Sequence, residues 1–113
     1  MTDKLSLKDT PSQHRKVRPL ADVLEGPEAY KILLDVPGVV KDDVAIHVEN
    51  RELRISAKRQ GAVNEPVVYE RYFTLPATVD SDKTEADLSA GVLTLTLHKH
   101  PEAKPRQIKV RAA

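Results

Sequence analysis

The sequence contains no cysteine, which removes a disulfide framework and any thiolate metal site. It has only four aromatics, and three of them, Tyr69, Tyr72 and Phe73, fall in one stretch with Tyr30 apart. A platform that stacks nucleic-acid bases needs its rings spaced along a surface, which this clustering does not provide. No run approaches the roughly 18 apolar residues of a membrane span. The opening residues, Met1-Thr2-Asp3-Lys4-Leu5-Ser6, lack the apolar core of a secretory leader. No segment longer than one turn repeats at helical spacing. There is no Gly-rich phosphate loop and no nucleophile–His–acid set in a recognisable context. The expectation is a soluble cytoplasmic protein that binds rather than catalyses, with no cofactor.

What is present is alternation. Leu93, Leu95 and Leu97 alternate with Val92, Thr94 and Thr96 immediately after Gly91. One face of that run is fully apolar and the other β-branched, which predicts a strand laid on a core through its leucines. Gly91 stands where a turn or a close backbone approach needs a residue without Cβ. Ala86 to Leu88 is a shorter alternation just upstream, read as a neighbouring strand.

The rest of the chain follows the same period. Leu20 to Glu25 predicts a short strand, ended by Gly26-Pro27. Ile32, Leu34 and Val36 share a face and stop at Pro37-Gly38. Lys41-Asp42-Asp43 reads as a charged turn, in which Asp42 caps a single helical turn, and not as an acid/base or metal site. Val44-Ala45-Ile46-His47-Val48 and Leu53 to Lys58 alternate on either side of Glu49-Asn50-Arg51, predicting a hairpin with Asn50 at positive φ. Residues 60–66 read as a loop, and Val67 to Leu75 as a β-branched and aromatic strand closed by Pro76. In it Tyr69, Arg71, Phe73 and Leu75 share one parity, so Arg71 must snorkel, pair with an acid or sit at an interface. Thr78 to Thr84 is polar and acidic and reads as a loop. Some seven strands at roughly 8–12-residue spacing predict an all-β sandwich. The 113 residues fit one domain, enough to bury roughly two-thirds of the unfolded surface without staples.

The ends differ from the middle. Residues 1–19 are polar, with a short helix predicted at 4–9, and read as a flexible N-terminal arm. The sandwich is assigned to 20–99. Residues 100–113 form a proline-stiffened extension that carries Ile108-Lys109-Val110, an apolar pair with no local core to join. Charge is uneven: five basic residues against two acidic in 1–19, five against one in 98–113, and eight against fourteen in 20–97. Basic ends on an acidic body fit nucleic-acid contact, contact between copies of the chain, or a plain solvated surface. The scarcity of aromatics weighs against the first. His98 and His100 would share a strand face, but without a further ligand nearby they read as solvated histidines and not as a metal site.

Four motifs in order resemble the small heat-shock protein (alpha-crystallin) family: Asp35-Val36-Pro37-Gly38-Val39, Tyr69-x-Arg71-x-Phe73-x-Leu75-Pro76, Ala86-x-Leu88-x-x-Gly91-Val92-Leu93, and Ile108-Lys109-Val110. Together they span residues 35–110. The resemblance implies an immunoglobulin-like antiparallel β-sandwich that dimerises. It implies an ATP-independent holdase that binds partly unfolded clients and keeps them from aggregating. It also implies that the C-terminal anchor, Ile108 and Val110, docks in an apolar groove of another chain. The groove candidates are Val44, Ile46, Val48, Ala86 and Leu88, each of which also reads as ordinary sandwich core. The dimer-interface strand is the one carrying Tyr69, Arg71 and Phe73. Expected partners are unfolded clients and further copies of the chain, with no nucleic acid and no membrane.

Two departures from the family pattern matter. Residues 60–66 leave no room for the long strand that bacterial and plant members swap between partners, so edge-to-edge pairing of the 67–75 strands is expected. The short, polar arm points to dimers or small assemblies instead of large cages. The nearest rival is a CS-domain co-chaperone, which shares the sandwich but acts as an adaptor on another chaperone; Ile108-Lys109-Val110 and the Ala86–Leu93 motif argue against it.

Overall fold

The computed structural model describes residues 15–59, 67–103, 105 and 107–112. Among these residues there are eight strands: β1 (Arg15–Val17), β2 (Ala21–Glu25), β3 (Ala29–Asp35), β4 (Val39–Glu49), β5 (Glu52–Arg59), β6 (Val67–Thr74), β7 (Val79–Ser89) and β8 (Val92–Lys99). They form two four-stranded sheets, ordered β1-β6-β5-β4 and β2-β3-β8-β7. All pairings are antiparallel except β1 with β6, which is parallel. Among the described residues the one helical element is a 3-10 turn at Pro101–Ala103.

The inward rows follow the predicted parity. Leu93, Leu95 and Leu97 of β8 are each at most 2% exposed, as are Ile32 and Leu34 of β3. Across the pair, Leu34 lies opposite Leu93 and Ile32 opposite Leu95. The facing sheet contributes Leu53, Ile55 and Ala57 of β5 and Val67 and Tyr69 of β6. Because side chains alternate strictly, a one-residue slip in any of these strands would turn its apolar row to solvent. That penalty holds the register.

Two two-residue turns set the hairpins. Asn50 (φ 52) and Arg51 (φ 64) join β4 to β5, and Ala90 (φ 49) and Gly91 (φ 79) join β7 to β8. Positive φ at both central positions is the type I′ geometry whose twist matches that of the flanking strands. Gly91 is further confined. Its carbonyl accepts a 2.7 Å hydrogen bond from Val36 N–H, and a Cβ added there would lie 3.2 Å from Pro37 Cα. This contact ties the β7–β8 turn to the Pro37-Gly38 turn. We therefore expect Gly91→Ala to cost about 1–2 kcal/mol in left-handed strain alone, lowering the melting temperature by roughly 5–10 °C. A thermal melt followed by far-UV circular dichroism checks this, with Ala90→Gly expected to be neutral or stabilising.

Three stretches differ from the reading of the sequence. Thr78 to Thr84, expected as a loop, lies largely in β7, and Lys41-Asp42-Asp43, expected as a turn, lies inside β4. Both are the irregular halves of end strands, where the register shifts between Val39 and Val44 and between Val79 and Thr84. An end strand is solvated along its edge, so its composition turns polar without ceasing to be extended. The third is Arg15–Val17, placed in the N-terminal arm, which forms β1 beside Val67, Val68 and Tyr69. The helix expected at 4–9 and the 60–66 loop lie outside the described residues.

Candidate functional site

β4 ends one sheet and β7 ends the other, and the two ends lie beside each other. Between them is a cleft of about 480 Å³. Val44 and Ile46 line it from β4, Ala86 and Leu88 from β7, and Leu93 of β8 forms part of its floor. Lys41 and Asp87 stand at its rim. Four of the five groove residues named from sequence are thus brought together. The fifth, Val48, lies farther along β4, half-buried against the core.

The half-buried state of Val44, Ile46 and Leu88 has a topological cause. They belong to the inward rows of their sheets, opposite Ala57, Ile55 and Leu93 respectively. But they sit on end strands, where no further strand covers them. Each strand also has one edge of backbone N–H and C=O groups without a sheet neighbour among the described residues. Charged residues guard the irregular first halves of both strands: Lys41, Asp42 and Asp43 on β4, and Asp80, Asp82 and Lys83 on β7. The apolar residues that line the cleft from these strands belong to the regular halves. Such an edge can take an added extended segment, with main-chain hydrogen bonds for affinity and pockets for alternate side chains.

Three residues that line the cleft, Leu93, Lys41 and Asp87, are not among the groove candidates named from sequence. Alternation marks Leu93 as core, and its pairing with Leu88 is what places it beneath the cleft. Lys41 was hidden by the reading of its stretch as a turn.

Ile108 and Val110 are 80% and 93% exposed. The tail that carries them leaves the sandwich in a fixed way. His100 N–H donates to Thr78 O at 2.8 Å, and Ala103 N–H closes the 3-10 turn onto His100 O. Just before the turn, Lys99 Nζ lies 3.0 Å from Glu25 Oε2 and 4.9 Å from the Tyr30 ring centroid. The hydrogen bond from Lys99 and its charge hold the Glu25 carboxyl below its ordinary range. His98 and His100 contact separate acids, Glu85 at 3.5 Å and Asp80 at 3.9 Å. Among the described residues no group of three or more His, Cys, Asp or Glu side chains is placed to hold a metal ion.

On β6, Tyr69 is buried in the core and Phe73 packs at its margin. The Tyr69 hydroxyl donates a long hydrogen bond to Pro37 O and accepts one from Arg59 Nη1. Arg71 resolves its awkward parity with a backbone carbonyl and a ring. Its Nη1 donates to Pro19 O at 2.9 Å, and its guanidinium sits 5.0 Å from the Phe73 centroid. Its buried Nε has no hydrogen-bond partner among the described residues. Desolvation, then the charge of Arg18, lowers its pKa. β1 covers the outer edge of β6 only along Val67–Tyr69.

No helix among the described residues is long and apolar enough to cross a membrane. Residues 22–111 match the profile of the Hsp20/alpha crystallin family. The chain is 39% identical over 106 residues to spore protein SP21 of Stigmatella aurantiaca, across 84% of this chain and 63% of that one. It is 40% identical over 104 residues to a 22.7 kDa class IV heat shock protein of Pisum sativum, across 79% of this chain and 53% of that one. The chain thus spans less than two thirds of the length of these two relatives. Among solved structures, it resembles a small heat-shock protein from Xylella fastidiosa with a TM-score of 0.69 at 25% identity, covering 85% of this chain and 98% of that chain. The profile runs from within β2, through both strands that border the cleft, to the exposed tail beyond Val110, and on that extent the chain belongs to the Hsp20/alpha crystallin family.

Proposed function

We propose that this protein is an ATP-independent holdase of the cytoplasm, which binds partly unfolded proteins and keeps them from aggregating. The observation that carries this is the cleft between β4 and β7, where Val44, Ile46, Ala86 and Leu88 stand beside strand edges that have no sheet neighbour among the described residues. Partly unfolded chains expose what such a site accepts: extended backbone with apolar side chains at alternate positions. The same chemistry is present on the chain's own tail, in Ile108 and Val110. The tail of one copy docks in the cleft of another, so assembly and client capture compete for one site.

Dimers form through β6, the strand carrying Tyr69, Arg71 and Phe73. β1 pairs only with its first three residues, and among the described residues no strand pairs with Glu70 to Thr74 on that edge, where a second copy adds. Tyr69 acts from within the core, fixing the strand that Arg71 and Phe73 present at its margin.

Holdase activity is tested by warming a heat-labile client with the protein, without ATP, and following light scattering. The expected result is suppression of scattering at a several-fold molar excess over client. Unchanged scattering at that excess overturns the reading. Substituting Ile46→Ser and Leu88→Ser together should abolish suppression while circular dichroism retains the strand spectrum.

A further inference from the structure

The two strands that border the cleft are acidic, and the tail is basic. β4 carries Lys41 against Asp42, Asp43 and Glu49, and β7 carries Lys83 against Asp80, Asp82, Glu85 and Asp87. Residues 104–111 hold Lys104, Arg106, Lys109 and Arg111 and no acid. The parity of β7 makes this more than a difference of net charge. Ala86 and Leu88 lie opposite Leu95 and Leu93 on the inward face, so Glu85 and Asp87, opposite Thr96 and Thr94, lie on the outward face. Both are exposed; Glu85 keeps 70% of its side chain in solvent, with His98 Nε2 3.5 Å away. An extended segment that adds to the free edge of β7 alternates in the same way. If Ile108 and Val110 enter the cleft beside Ala86 and Leu88, Lys109 and Arg111 fall on the outward face beside Glu85 and Asp87. Opposite charges on neighbouring strands attract, and like charges there repel. Among the described residues that line the cleft, Lys41, on the opposite lip, is the one cation.

We propose that the acidic outer row of β7 is a specificity filter. It selects, among extended apolar segments, those in which branched apolar residues alternate with Lys or Arg, and it rejects those that alternate with Asp or Glu. The proposal rests on the docking reading of the cleft given above and adds to it the class of segment preferred. The chain's own tail satisfies the rule. Client segments of basic–apolar alternation compete with it best.

The test uses the full chain and a fluorophore-labelled peptide with the sequence of residues 105–113, titrated by anisotropy. The tail already on the chain competes equally with every peptide, so ratios of affinity are preserved. At low salt, the peptide carrying Lys109→Glu and Arg111→Glu is expected to bind roughly tenfold more weakly, the sum of two exposed ion pairs lost. The ratio should shrink to about twofold or less near 1 M salt, where screening acts within roughly 3 Å. On the Glu85→Lys/Asp87→Lys protein the order of the two peptides should invert. Glu85→Gln/Asp87→Asn serves if the reversed protein melts early, and is expected to bring the two affinities together. Equal binding of both peptides to the unaltered protein, with an Ile108→Ala/Val110→Ala peptide binding weakly, overturns the filter and leaves the docking reading standing. An alanine peptide that binds as well as the parent overturns the docking reading itself.

Discussion

Leu95→Ala should lower the melting temperature by roughly 15 °C, through a loss of about 3 kcal/mol. Leu95 is 0% exposed. It sits at the centre of β8, opposite Ile32 on one side and Ala86 on the other. Truncation removes its transfer free energy and leaves a cavity that two laterally bonded sheets cannot close by shifting one strand. The residue also lies one register step from Leu93, which forms part of the cleft floor, so the cavity loosens the support of the site as well as the core. Thr96→Val, on the outward face of the same strand, is the control and should shift the transition by no more than a few degrees. Thermal melts of the three proteins decide the matter. A drop below about 5 °C for Leu95→Ala would mean that the inward assignment of β8 is wrong.

The second large effect is expected in assembly. Replacing Ile108 and Val110 together by Ala should weaken docking of the tail about a hundredfold, corresponding to about 3 kcal/mol of apolar burial lost. Both side chains are almost fully exposed in the isolated chain, so the substitution removes nothing from its core. The melting temperature of the folded unit should therefore stay within a degree or two while the assembled mass falls. Light scattering of the intact and substituted chains at matched concentration reads the mass, and deleting residues 107–113 should reproduce the loss. An unchanged mass in both variants removes the anchor from the scheme. Suppression of client aggregation gives an independent readout. If tail and client compete for the cleft, the alanine variant should capture client at lower concentration than the parent.

Much of the fold was legible because β-sheet alternation is a local signal. The inward row of β8, the inward pair Ile32 and Leu34, and the turn at Asn50 and Arg51 could each be read from a few consecutive residues. The failures have separate causes. Residues 79–84 and Lys41-Asp42-Asp43 are strand, yet polar, since an end strand meets water along its edge. Arg15–Val17 has too few residues to show a period, and a parallel partner about fifty positions away leaves no trace in local sequence. Arg71 was legible as an anomaly but not in its resolution. The Pro19 carbonyl it bonds lies far off in sequence, and nothing in the 67–75 strand points to it.

The candidate site divides along the same line. Alternation put Val44, Ile46 and Val48 on one face and Ala86 and Leu88 on another, and the position of Ile108 and Val110 beyond two prolines marked them as a pair without a local core. Those properties belong to the sequence by itself, since side-chain direction along a strand and the reach of a stiff linker are local. Which strands would end their sheets, and that the two ends would lie side by side, was decided only by the tertiary structure. Edges are created by the order in which distant strands pair, β1-β6-β5-β4 against β2-β3-β8-β7. That order depends on how two apolar faces close over one core, a balance over the whole chain to which no single segment holds the key.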